Sequence, residues 1–500
     1  MSWLLTLPLV LPFLTAVAAF LTRQSPLGRR ISVLGNTLFL AASVALLVRV
    51  VQDDIVVGQM GGWAAPFGIT LVADRLSAVM VVITAITALA VAIYALGDID
   101  ARKEYLGYHA LFNVLIGGVT GAFVTGDLFN LYVWFEVMLI SSFGLLVLGG
   151  KKAQIDGGVK YVTLNLISTI LFLSGVGLLY GMTSTLNMAD LARTLPTVEN
   201  QGLVTVVAMM FMVAFGVKAA LFPLFFWLPA SYHTPAFSVS AVFAGLLTKV
   251  GVYALIRMFS LVFNGDMDFS HTILLWVAAL TMITGVLGAA AQNDVRKILS
   301  FHIVSQIGYM IMGLALMTPL ALAGAVFYLV HHIVVKANLF LIAGVMERTA
   351  GSTDLGRIGG FYKSAPLLAV LFLIPAFSLA GFPPLSGFWA KYVLVAAALE
   401  DSAWIIAAVA LVVGLLTIYS MTKIWAEAYW KAHPEGLEPR ISALDGDRRR
   451  ALLWPVAGLA AITLVIGFFP EPFVTFATDA AGQLLDPGEY VTAVLGQGAA

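Results

Sequence analysis

Apolar residues run through this chain in long stretches, and short polar segments separate them. A helix crosses a bilayer with about 20 mostly apolar residues, and about fourteen stretches reach that length. They lie near 3–22, 31–51, 73–97, 109–126, 128–149, 158–181, 203–228, 237–258, 273–291, 297–317, 321–346, 366–399, 404–426 and 451–469. Lipid offers the backbone no hydrogen-bond partners, so each stretch predicts a helix. The pattern thus predicts an all-α polytopic membrane protein with about fourteen transmembrane helices. The first stretch, from Trp3 to Thr22, has no basic segment before it and no small-residue cleavage site. It reads as a retained helix and not as a signal peptide.

Two stretches carry breaks. Pro223 follows Lys218 in Ala214-Phe-Gly-Val-Lys-Ala-Ala-Leu-Phe-Pro223, and Pro229 and Pro235 prolong the irregular stretch. Proline removes a helical N–H and clashes with the preceding turn, so the span breaks just after the lysine. A second interruption falls at Ala380-Gly-Phe-Pro-Pro-Leu-Ser-Gly387, with Lys391 just beyond it. Irregular backbone at membrane depth is tolerated only inside protein or beside a wet cavity, so paired breaks point to a transport site. The layout predicts helices 1–3 in 1–108, a five-helix repeat of helices 4–8 in 109–258, a second five-helix repeat of helices 9–13 in 273–426, and helix 14 in 451–469. Each repeat has its broken helix fourth. Five is odd, so the second block runs inverted relative to the first.

Composition agrees with a lipid solvent: 60% of residues are hydrophobic and 11% charged, against roughly 45–50% and about 25% in soluble chains. The 27 basic and 27 acidic residues balance, which excludes a generally basic nucleic-acid binder. With no cysteine there is no disulfide, no thiol nucleophile and no Cys-ligated zinc or iron–sulfur site. No P-loop, G-x-G-x-x-G or metal-ligand cluster is present, so no cofactor is expected. Alternate loops collect nineteen basic residues: Arg23, Arg29, Arg30; Arg102, Lys103; Lys151, Lys152, Lys160; Arg296, Lys297; Arg348, Arg357, Lys363; and Lys423, Lys431, Arg440, Arg448, Arg449, Arg450. Only Arg49, Arg75, Arg193 and Arg257 lie near segment ends on the other side. The positive-inside rule then predicts both termini outside.

The remaining basic residues, Lys218, Lys249, Lys336 and Lys391, lie within spans, and Glu136 is the one acidic residue well inside. Glu136 sits about eight residues, or ~12 Å, into its helix. An ionised carboxylate in hydrocarbon costs several kcal/mol unless paired or hydrated, so it points to proton or ion handling. His332 and Lys336 are spaced i, i+4 and share one helix face. An imidazole titrates near neutral pH, so such a pair can pass a proton. His331 points about 100° away and reads as packed or hydrogen-bonded; His302, near the inside end of its span, is a candidate access group. One carboxylate faces four buried amines, an imbalance that suits a proton relay.

In order, spacing and context over roughly 70–430, these residues resemble the antiporter-like membrane subunits shared by respiratory complex I and the Mrp cation/proton antiporters. Glu136 matches the glutamate of the fifth helix, Lys218 the lysine before the break in the seventh, and Lys249 the lysine of the eighth. His332 and Lys336 match the pair on the eleventh, Lys391 the charged residue after the break in the twelfth, and Ser305-Gln-Ile-Gly-Tyr309 is also family-like. Gly62-Trp-Ala-Ala-Pro-Phe-Gly-Ile-Thr-Leu-Val-Ala-Asp74 and Phe225-Phe-Trp-Leu-Pro-Ala-Ser-Tyr-His-Thr-Pro235 look most like the D-subunit branch of the Mrp group. Tyr232, with His233 beside it, departs from the Leu-Pro-Asp-Ala-His pattern of complex I relatives.

The resemblance implies a subunit of a multisubunit exchanger in a prokaryotic cell membrane, trading sodium for protons. The partners it implies are the A, B, C, E, F and G subunits of Mrp, with H+ carried by this chain, Na+ by the complex, and no nucleic acid. It implies a secondary transporter subunit, not an enzyme. Three other readings stay open: a proton-pumping subunit of complex I or a membrane-bound hydrogenase, which would be a translocase component; a non-transporting scaffold; and a stand-alone transporter of an organic substrate.

Overall fold

The computed structural model describes residues 3–496 except 435, 437, 438, 440, 442 and 443; Arg440, one of the nineteen basic residues, lies outside the described residues. Helices dominate. The long ones, in chain order, are α1 (Trp3–Leu21), α2 (Leu27–Asp53), α3 (Arg75–Asp98), α4 (Tyr108–Val124), α5 (Leu128–Val147), α6 (Lys152–Thr183) and α7 (Gln201–Ala219). The next are α8 (Phe237–Val262), α9 (Met267–Ala290), α10 (Val295–Leu316) and α11 (Pro319–Ala350). Then come α12 (Pro366–Ala380), α13 (Ser386–Glu400), α14 (Trp404–Trp430) and α15 (Gly446–Phe468). Twelve of these are long and apolar enough to cross a membrane; α4 and the split pair α12 and α13 complete the predicted fourteen crossings.

Some of the polar residues between apolar runs are helix caps. Asp74, Asp127, Asp294 and Thr318 each accept a hydrogen bond from a first-turn N–H of α3, α5, α10 and α11, which satisfies donors that lipid would leave orphaned. Burial sorts the helices. α8 is buried all round and α10 and α11 nearly so, while α2 keeps most of its surface open. The helices that carry the central lysines are therefore those farthest from lipid.

Both predicted breaks are present. α7 stops at Ala219, one residue after Lys218, and Ala220 turns left-handed at φ +62°. A short helix, Trp227–Ser231, follows, and Thr281 on α9 accepts from the freed Phe222 N–H at 2.9 Å. The predicted span 366–399 is likewise two helices, parted at Gly381 with φ +94°. α8 contains a third irregularity, a π turn over Phe243–Leu247 just before Lys249; such turns often mark functional positions.

Three features depart from the expectations. α6 begins at Lys152, so Lys152 and Lys160 are helical and Lys160 pairs with Asp156 at 2.7 Å. A two-stranded antiparallel hairpin, β1 (Val56–Gln59) and β2 (Thr70–Ala73), fills the connection before α3. Two short amphipathic helices, α16 (Glu471–Leu485) and α17 (Pro487–Leu495), follow the last span.

Candidate functional site

The first charged group is assembled from three helices. Glu136 on α5 is half-buried and accepts a hydrogen bond from Thr169 Oγ1 on α6 at 2.8 Å. Lys218 Nζ donates to the same Thr169 Oγ1 at 3.2 Å and to the Asn165 carbonyl, one turn earlier, at 3.3 Å. The carboxylate and the ammonium therefore meet through a threonine hydroxyl. Lys218 is 7% exposed, stands 5.4 Å above the Phe135 ring, and occupies the last turn of α7. The carbonyl end of a helix and the ring face both favour a cation.

The break holds this group in place. Trp227 Nε1 donates to the Val217 carbonyl at 3.1 Å and folds the segment after the break back onto α7. A cavity of about 20 Å³ opens beside Lys218, lined in part by Tyr161, Asn165, Tyr232 and Leu247. That is room for about one water with polar neighbours. Leu247, which closes the π turn that precedes Lys249, is one of the cavity's walls. α8 lies tight against the break: a Cβ on Gly251 would stand 2.6 Å from the Ala219 nitrogen.

Lys249, His332 and Lys336 have no measurable exposure. Lys249 Nζ donates to the Ala244 carbonyl inside the π turn. Both ring nitrogens of His332, Nζ of Lys336, both ring nitrogens of His302 and the Ser305 hydroxyl are buried with no hydrogen-bond partner among the described residues. Buried polar atoms are nearly always paired, which sets this group apart from the packed interior around it. His302 is wholly buried and sits with Ser305, Gln306 and Tyr309 on one face of α10.

At the far end Lys391 Nζ donates to the Leu379 and Ala380 carbonyls at 2.9 and 3.2 Å and stands 5.0 Å above the Tyr309 ring. Those carbonyls end α12, so Lys391 and Lys218 both sit at the carbonyl ends of broken helices. Tyr309 stacks on Tyr328, whose hydroxyl donates to Gln306 Oε1 at 2.5 Å. His331 is hydrogen-bonded as expected, Nδ1 to Ser386 Oγ at 2.8 Å across the second break. His233 Nδ1 bonds the Pro229 carbonyl at 2.8 Å.

Sequence reasoning missed three features. Thr169 and Asn165 are uncharged and carried no signal beyond their i, i+4 spacing. Asp98, at the end of α3, is a buried carboxylate that accepts from Ser238 N and Oγ at 2.9 and 2.8 Å and from Arg348 Nη2 at 2.8 Å. With Glu347, Arg296, Lys103 and Lys151 it lines a cavity of about 440 Å³ on the face richest in basic residues. Arg257, which the sequence assigns to an outer segment end, is buried and paired with Asp74.

Residues 125–417 match the family described as NADH:quinone oxidoreductase/Mrp antiporter, transmembrane. A protein of Alkalihalophilus pseudofirmus, named as the D subunit of a Na(+)/H(+) antiporter, is 47% identical over 498 residues, which is 99% of this chain and 100% of the relative. A chain in the structure of the Mrp complex from Dietzia sp. DQ12-45-1b superposes with a TM-score of 0.91 at 35% identity, over 99% of this chain and 100% of that one. A chain of respiratory complex I from Thermus thermophilus superposes with a TM-score of 0.80 at 26% identity, over 96% and 100%. The buried charges, the two broken helices and these likenesses extend over the same residues, and the chain belongs to the family of transmembrane subunits shared by NADH:quinone oxidoreductases and Mrp antiporters.

Proposed function

We propose that this chain is the proton-translocating subunit of a multisubunit Na+/H+ antiporter of the Mrp type. It would assemble with the A, B, C, E, F and G subunits in a prokaryotic plasma membrane, with both termini outside. It acts as a secondary transporter subunit and carries out no covalent chemistry of its own. The observation that carries the reading is the unit Glu136–Thr169–Lys218 at the end of α7. With Glu136 ionised, Lys218 holds its proton through Thr169. Loss of that charge, or a shift of the threonine, frees the proton to cross the small cavity toward Lys249. His332 and Lys336 pass it on to Lys391, where the carbonyl end of α12 receives the charge. The blocks 109–258 and 273–426 form an inverted pair in this scheme, each supplying one lysine at a break.

The same relay driven by a redox partner is the alternative, favoured by the likeness to the complex I chain. Copurification in mild detergent separates the two: small antiporter subunits in one case, quinone and iron–sulfur subunits in the other. For the relay, everted membrane vesicles with the assembled complex are given a pH gradient and sodium movement is followed. Lys218→Ala and Glu136→Ala are expected to abolish exchange with the complex intact, and normal exchange in Lys218→Ala overturns the scheme.

A further inference from the structure

Lys249, Tyr253 and Arg257 are spaced i, i+4, i+8 along α8, so a stripe of polar groups leads from the central lysine toward the outer end of the helix. Arg257 lies about 12 Å beyond Lys249 by helical rise. It is 4% exposed, and its Nη2 is 2.6 Å from Asp74 Oδ2. The same nitrogen donates to Ser77 Oγ and to the Tyr253 hydroxyl, each at 3.3 Å. Tyr253 in turn donates to the Phe123 carbonyl at 2.7 Å, and its oxygen is 3.0 Å from Ser77 Oγ. Tyr490 of α17 closes the top, its ring 5.3 Å from the guanidinium. Farther out, Arg75 pairs with Asp54 at 2.8 Å and Asp479 at 2.5 Å, and its N–H donates to Gln483.

Hydroxyls and a carboxylate in a row are the parts of a proton wire, and this one would short-circuit the path to Lys391. A guanidinium has five donors and no acceptor and does not give up its proton. Placed among Tyr253, Ser77 and Asp74, it only donates to them and can take no proton from any of them. We propose that Arg257, held by Asp74 and covered by Tyr490, is an outer seal that denies Lys249 direct proton exchange with the outside. The proposal rests on the relay reading above, since without proton traffic at Lys249 there is nothing to seal.

A plain structural ion pair and a seal differ in sign. Breaking a structural pair from either side loosens the same contact, whereas a seal depends on the arginine alone. The test uses proteoliposomes of the assembled complex in sodium-free buffer, with the membrane potential clamped and internal pH read by a dye. At about 12 Å and an effective dielectric constant near 20, one unit of charge is worth about tenfold in the proton's occupancy at Lys249. Arg257→Gln is therefore expected to dissipate an imposed pH gradient about tenfold faster. Asp74→Asn is expected to hold it as the parent does, and Lys249→Ala added to Arg257→Gln is expected to stop the leak. Asp74→Asn combined with Arg257→Gln leaves no unpaired charge, restores an acceptor to the row and repeats the test should the single arginine variant not assemble; it must leak faster than the parent, though less than the single variant because no net charge is unmasked. Equal leaks from both single variants, a tight arginine variant or double variant, or a leak that persists without Lys249 each overturn the seal. Sodium–proton exchange in the parent complex is measured alongside, so a failed relay, which shows no exchange, is distinguished from a failed seal, which shows normal exchange and no leak.

Discussion

A hydroxyl placed between a carboxylate and an ammonium lets each charge sense the other without fusing them into one ion pair. Thr169 donates to Glu136 and accepts from Lys218, so a rotation about its χ1 connects or parts the two. A direct buried pair would be hard to open, because each partner would be left alone in low dielectric. Thr169→Val keeps the shape and removes the hydroxyl. A hydrogen bond to a charged group contributes about 1.5–3 kcal/mol, so the initial rate of proton-driven sodium exchange is expected to fall roughly tenfold or more, with the complex still assembled. Thr169→Ser should restore most of it. A valine variant that exchanges at the parent rate removes the threonine from the scheme.

Among the elements, the contact between α8 and the end of α7 sets how close the two inner lysines come. Gly251 permits it, since a side chain there would run into the backbone of Lys218 and Ala219. Overpacking of this kind costs about 1–3 kcal/mol, and backbone cannot step aside as a flexible side chain can. Gly251→Ala is expected to lower the melting midpoint of the detergent-solubilised complex and to cut exchange more than stability; a variant that does neither shows the close approach to be dispensable. Nothing in the sequence singles out Gly251 among 46 glycines, whereas the spans and both breaks were legible. Lipid selects on apolar length and proline acts locally, so a single chain displays both. The start of α6 was misplaced because Asp156 and Lys160, polar enough to suggest a loop, pair at i, i+4 on a helix. The hairpin and the helices α16 and α17 were missed for another reason: strands of four residues and amphipathic turns lie outside the bilayer pattern and leave too little periodicity to read. The charged site positions stood out against apolar surroundings, while Thr169 is chemically ordinary and acts only through what the fold sets beside it.

Across the whole molecule, one carboxylate ties the basic-face end of α3 to those of the two helices that carry Lys249, His332 and Lys336. Asp98 ends α3, accepts two hydrogen bonds from Ser238 in the first turn of α8, and pairs with Arg348 in the last turns of α11. α8 carries Lys249, and α11 carries His332 and Lys336, so Asp98 bridges the two helices in the wall of the 440 Å³ cavity and is placed to hold their register. Removing one partner of a buried pair costs about 3–5 kcal/mol. The Arg348 side chain is 24% exposed, so water recovers part of that and the cost should fall nearer about 2 kcal/mol. Asp98→Asn keeps a side-chain oxygen for Ser238 but loses the charge that holds Arg348. Its complex is expected to melt earlier and to exchange sodium more slowly, since a slip of α11 along α8 misaligns both lysines. The second change, Arg348→Met, removes the stranded cation and should recover stability in Asp98→Asn without recovering rate, because an apolar contact can pack the helices but cannot hold their register. The double-mutant cycle, read on both melting and exchange, separates the two contributions. Rate and stability recovering together would mean that Asp98 only holds the helices together, and full exchange in Asp98→Asn would mean that the register of α8 against α11 is set elsewhere.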